Sequence, residues 1–172
     1  VIASDGHIFV RYESPRLDSS VNWETTSGAS FADTHYVEKY RISAQAIDNG
    51  CYLRSLDDSE ALATQFRYMG MAVNETSANA RQILRFSQKA YEMDTIRIAS
   101  VRALAEAYAL LSEYDSSYFY IDRALALDSM NSRTYLSFGK ILRKQGRLKM
   151  AAQYLDKGLT IESDHGELLY NR

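Results

Sequence analysis

Lys89-Ala90-Tyr91-Glu92-Met93-Asp94-Thr95, Arg123-Ala124-Leu125-Ala126-Leu127-Asp128-Ser129 and Lys157-Gly158-Leu159-Thr160-Ile161-Glu162-Ser163 are one short pattern written three times. A base precedes a tiny residue. Past two variable positions come an aliphatic residue or methionine, an acid and a small hydroxyl residue. The copies stand 34 residues apart both times, and a fixed period of that length is the mark of a repeat architecture.

Laid over one another, the windows 98–131 and 132–165 share four identities, Tyr120/Tyr154, Asp122/Asp156, Leu125/Leu159 and Ser129/Ser163. Their packing positions agree far better. A first helix pairs Val101/Tyr135, Leu104/Phe138, Ala105/Gly139 and Tyr108/Leu142; a second pairs Ser117/Ala151, Ile121/Leu155 and Ala124/Gly158. Large residues at helical spacing fill a seam, and tiny ones let two helices approach closely. Gly146 falls between the helices, where a left-handed residue costs little only for glycine.

These slots resemble those of the tetratricopeptide-repeat (TPR) family: large, large, tiny, large on helix A, then tiny, large, tiny on helix B. The resemblance implies an all-α fold, an alpha-alpha superhelix of stacked antiparallel helix pairs. It divides the chain into an irregular or extended lead-in (1–32), an N-terminal helical segment or worn repeat (33–62), a degenerate repeat (63–97), two repeats (98–131 and 132–165) and the start of a capping helix (166–172). In the degenerate repeat Phe66, Met69, Gly70 and Val73 fit helix A, and Ile83 and Ser87 fall in helix B. Leu168 or Leu169 is expected to cover Leu155 and Leu159. The family often carries proline shortly after helix B, where this chain has Thr95, Ser129 and Ser163. Hydroxyl side chains there are expected to turn the chain by hydrogen bonds.

Composition agrees. Of 172 residues 46% are hydrophobic and 24% charged, as in a globular domain, and the single proline favours helices over strands and turns. The formal charge of −2 favours neither nucleic acid nor an anionic membrane. No apolar run reaches the roughly 18 residues of a membrane helix. Residues 33–49 predict one helix with Tyr36, Val37, Tyr40, Ala44 and Ile47 on one face, ended by Asn49-Gly50. Before it His7–Tyr12 reads as a short strand or extended arm, Pro15, Ser19-Ser20 and Thr25–Ser30 as linker, and Trp23 as a residue packed onto the first helices. Because the chain starts at Val1 and stops inside a helix, it reads as a fragment of a longer protein.

Candidate chemistry is sparse. No phosphate loop is present among the eight glycines. His7, His35 and His165 share no ligand spacing with Cys51, so neither metal nor cofactor is expected. No Gly-x-Ser-x-Gly elbow supports a nucleophile. Cys51 reads as a packed core thiol, and Asp57-Asp58 as a helix start. Asn74-Glu75-Thr76 matches a glycosylation triplet, a pattern frequent by chance.

One charge feature remains. Arg133, Lys140, Arg143, Lys144, Arg147 and Lys149 are basic, with no acid between Asp128 and Asp156. The resemblance implies that Arg133, Leu136, Lys140, Arg143 and Lys144 line the concave groove, with Ala99, Arg102, Glu106, Ala109 and Leu110 from the preceding repeat. Glu106 and Lys140 stand where the clamp of chaperone-binding relatives would hold asparagine, so that partner class is not expected. The implied function is a non-catalytic scaffold or adaptor that binds a protein or peptide, with acidic or carboxylate groups set against the bases. The alternative is a regulatory or substrate-presenting appendage of a larger, membrane-bound enzyme of the bacterial cell envelope, a glycan polymerase or transferase.

Overall fold

The computed structural model of the chain describes residues 2–4, 7–14, 19–24, 27–76 and 78–172. Strand β1 (Ile2–Ser4) pairs antiparallel with β2 (His7–Ile8). Strands β3 (Val10–Ser14), β4 (Ser19–Glu24) and β5 (Ala29–Phe31) form a second antiparallel sheet in that order. Then come α1 (Asp33–Tyr40), α2 (Ala44–Asp48), α3 (Asp58–Ala72), α4 (Ala80–Met93), α5 (Ile98–Leu110), α6 (Tyr114–Leu127), α7 (Ser132–Lys144), α8 (Leu148–Ile161) and α9 (Gly166–Asn171). Pro15, Thr25 and Thr26, read as linker, lie outside the described residues.

The period of the sequence is a period of the backbone. Asp94, Asp128 and Glu162 end their helices at φ/ψ of −147/88°, −151/100° and −139/86°. Each donates its N–H to the tiny residue four back, Ala90, Ala124 or Gly158, at 3.2, 3.0 and 3.0 Å. Three residues on, Arg97, Asn131 and His165 are extended at −77/106°, −81/99° and −71/102° and precede the next helix. The chain therefore reverses in the same way after α4, α6 and α8, without proline. The hydroxyls expected to hold this turn do not all do so. Asp128 Oδ1 accepts the N–H of Met130 at 3.0 Å, while Ser129 Oγ donates away to Gln45 Oε1 at 2.8 Å. An acid reaches a backbone N–H two residues on more readily than a hydroxyl does.

The turns inside the pairs also repeat. Ser112 and Gly146 are left-handed, at φ 62° and 75°. Their N–H groups bond Ala109 and Arg143 carbonyls at 3.1 and 2.9 Å, and the next N–H groups reach Tyr108 and Leu142 at 3.0 and 2.9 Å. This double bond pattern satisfies carbonyls that a helix end otherwise leaves without partners.

Each A helix touches its own B helix, the preceding B helix and the flanking A helices, as α5 does with α6, α4, α3 and α7. That nearest-neighbour order makes a solenoid. Gly139 of α7 lies close on Leu155 of α8, where a Cβ would stand 2.5 Å from Leu155 Cδ2. At Gly158 a Cβ would meet Leu168 Cδ2 at 2.8 Å and Tyr135 Cβ at 3.2 Å. Leu168 is fully buried with Leu136 and Leu155, and Leu159 packs on them. Burying a leucine of this kind contributes about 1.5–3 kcal/mol.

The first third differs most from expectation. The single helix predicted over 33–49 breaks at Arg41, left-handed at φ 51°, and Ser43 restarts it by accepting from Ala46 N at 3.0 Å. The break turns the second half, so Ile47 is exposed and Ala46 is buried. In the lead-in, read as irregular or extended with a strand or arm over His7–Tyr12, the described residues hold five strands. Trp23, expected on the helices, is 49% exposed. Strand periodicity sends Asn22 and Glu24 inward and Trp23 out, opposite Val10. Phe9 takes the packing role instead, stacked on Tyr36 at 4.3 Å. Helix α3 starts at a capping box in which Asp57 accepts from Glu60 N at 2.7 Å and Glu60 from Asp57 N at 3.0 Å. There Gly70 is buried but Met69 is 46% exposed, because Ala63, Thr64 and Arg67 take the inner face.

Two substitutions test this packing. Gly139→Leu should destabilise by about 1–3 kcal/mol or more, and an unchanged melting temperature would remove the close crossing. Ser112→Gly should stabilise by about 0.5–1 kcal/mol, since glycine takes the left-handed turn without a Cβ penalty. A lower melting temperature would show that the serine turn carries no such strain.

Candidate functional site

Helices α3, α5, α7 and α9 lie side by side, each touching the next. The seven residues assigned to their common face fall into three groups. Glu106, Lys140 and Lys144 come together at a pocket of about 150 Å³, with Ala109, Leu110, Ile141 and Glu75 as its other walls. Arg102, Arg133 and Arg143 do not line it. Leu136 does not line it either: it is buried, packed with Leu155 and Leu168. The expectation failed there because α9 closes over that part of α7, and a leucine gains more from that cover than from water.

The basic stripe on α7 is not as bare as its own helix suggests. Lys140 Nζ pairs with Glu167 Oε1 of α9 at 2.8 Å. Arg143 Nη1 donates to Asn171 Oδ1 at 2.8 Å and to the Asn171 carbonyl at 3.3 Å. Lys144 is exposed and makes no ion pair with the described residues. On the facing helix, Glu106 accepts from Ser137 Oγ.

The Lys140 hydrogen bond holds the Glu167 carboxyl below the usual glutamate range, against partial burial that raises it, with the charges of Lys140, His165 and Arg133 adding to the lowering. The pair is exposed on both sides, so its worth is of the order of 0–1 kcal/mol.

Glu75 was missed. It follows α3 and stands 34 residues before Ala109, so the repeat register carried back by one unit would have placed it in the groove. Its place after the helix, behind Val73 and Asn74, hid that register. Ile141 was missed because a residue one step from Lys140 reads as core; it is buried, and its edge walls the pocket.

Other candidates have structural roles. Cys51 is buried at 1% exposure, packed with Tyr36, Ile42 and Tyr52. Among the described residues no cluster of three His, Cys, Asp or Glu side chains is placed to hold a metal ion, and no helix is long and apolar enough to cross a membrane.

No protein-family model and no curated protein matches the chain. Among solved structures, the Arabidopsis OM64 TPR domain is similar, with a TM-score of 0.55 and 17% sequence identity over 66% of this chain and 93% of that one. At that identity the likeness is one of fold, and with the repeating turns and helix order it makes this a tetratricopeptide-like solenoid.

The Glu167 carboxyl should titrate below the ordinary glutamate value of about 4.3 in a carbon-detected NMR titration. Because the folded-state pKa is lowered, the stabilisation is present above the unfolded value and is lost as pH falls through the folded one. Lys140→Ala should return the titration upward. An ordinary value in the unsubstituted chain would mean that the pair does not form in solution.

Proposed function

We propose that this chain is a non-catalytic interaction module that takes a segment of a partner protein along the concave face of α3, α5, α7 and α9. The partner presents acidic or carboxylate groups to Lys144 and Lys140, with Arg133 and Arg143 adding to the field. The observation that carries this reading is the pocket beside Lys144. It is lined by the apolar Ala109, Leu110 and Ile141, by Glu75 and Glu106, and by Lys140 and Lys144, of which Lys144 pairs with no acid among the described residues. An ammonium group so placed attracts a carboxylate, and the apolar lining adds contact. Repeat stacks present an extended surface of this kind by geometry alone. The solenoid fold of the OM64 TPR domain supports the same use.

The test is NMR mapping with a blocked peptide Ac-Gly-Glu-Ala-Glu-Gly-amide. Amide shifts should centre on Lys140, Ile141 and Lys144, and should shrink as salt shortens the Debye length from about 10 Å at 0.1 M to about 3 Å at 1 M. The double substitution Lys140→Glu with Lys144→Glu should remove them while leaving the helical circular dichroism unchanged. Shifts scattered over the surface, or equal in the double variant, would show that the α7 charges are only a solvated face.

A further inference from the structure

The pocket carries charge of both signs, and the two signs stand on different helices. Glu75 follows α3 and Glu106 is on α5, while Lys140 and Lys144 are on α7. The carboxylates and the ammonium groups do not pair across the pocket: Lys140 turns to Glu167 and Glu106 accepts from Ser137 Oγ. Glu75 and Lys144, both exposed, make no ion pair with the described residues. Ala109, Leu110 and Ile141 are the apolar part of the same lining. This arrangement leaves charge neutralisation on both walls to an occupant.

A wholly acidic segment satisfies only the basic half of such a site. Its first carboxylate meets Lys144, but its next lies toward Glu106 and Glu75, where like charges repel. A wholly basic segment fails at the opposite wall. Discrimination of this sort comes from the repulsive element as much as from the attractive one. Neighbouring packed helices such as α5 and α7 are spaced about 8–10 Å apart, which sets the span from Glu106 to Lys144; Glu75, after α3, lies one helix further along. Residues i and i+2 of an extended chain point the same way about 6.6 Å apart, and the reach of long side chains makes up the difference. The aliphatic stem of a lysine or arginine lies over an apolar lining while its charge stays in water.

We propose that the groove selects a bipolar segment: an extended stretch of a partner protein with a lysine or arginine and an aspartate or glutamate two residues apart, the base against Glu75 and Glu106 and the acid against Lys144 and Lys140. This rests on the groove reading above and adds its selectivity.

Four blocked pentapeptides test it by NMR titration of the whole chain: Ac-Gly-Lys-Ala-Glu-Gly-amide, its reverse order Ac-Gly-Glu-Ala-Lys-Gly-amide, the doubly acidic one used above and its doubly basic counterpart. One of the two mixed peptides should bind about tenfold more tightly than either single-sign peptide, a difference of about 1.4 kcal/mol. Both outer charges are exposed, so Glu75→Lys and Lys144→Glu should keep the fold. Glu75→Lys should move the preference to the doubly acidic peptide, and Lys144→Glu to the doubly basic one. If the doubly acidic peptide binds the unsubstituted chain as tightly as either mixed peptide, with shifts still centred on Lys140 and Lys144, bipolar selection is overturned and the groove reading stands. If none of the four shifts these amides, both are overturned.

Discussion

The close approach of Gly139 to Leu155 is the constraint on which the C-terminal half of the structure depends. With no Cβ on Gly139, α8 comes near enough to α7 for Leu155 to fill the crossing. The same economy is used one step later. Gly158 leaves room for Leu168, and Leu168 packs onto Leu155 and Leu136. That contact seats α9, and α9 in turn carries Glu167 to Lys140 and Asn171 to Arg143. The engagement of Lys140 and Arg143 by α9 therefore follows from two missing methyl groups in the core.

The N-terminal third is joined to the stack by a different kind of force. Gln45 and Asn49 donate to the carbonyls of Ala126 and Leu127 at 2.9 Å each, at the end of α6, where a helix has no partners of its own for them. Ser43 Oγ donates to Asp128 Oδ1 at 2.7 Å, and Arg54 bridges Glu60 and Asp94 at 2.6 Å each. Beneath these polar contacts Ile42, Ala46, Cys51 and Tyr52 share a buried cluster with Ile98, Val101 and Ala124. Residues 42–54 are thus tied to the ends of α4 and α6 and to the start of α5.

The places where local pattern and structure part have definite physical causes. The break at Arg41 carries neither glycine nor proline; a left-handed arginine is held there by Arg41 and Ile42 N–H bonds to Glu38 and Val37. Beyond His7–Tyr12, which reads as a strand or arm, the pairing strands before residue 32 were obscured by their shortness, and by an exposed row of Val10, Tyr12, Val21 and Trp23 on the face where polar residues are usual. By contrast, Ala105, Ala124, Gly139, Gly146 and Gly158 were legible. A tiny residue recurring at fixed helical spacing marks a close helix crossing. A glycine between two helical patterns marks a left-handed turn.

The sequence by itself determined the period, the pairing of helices, the close crossings and the left-handed turn at Gly146. Each depends on residues near one another in the chain or on a regular spacing, and backbone geometry converts these directly into structure. It also marked α7 as basic. Only the tertiary structure decided which of those bases are already engaged, that Leu136 is core, and that Glu75, Glu106, Lys140 and Lys144 line one pocket. Electrostatic neutralisation and burial depend on distances in space between groups on separate helices, and no local pattern in the chain encodes those distances.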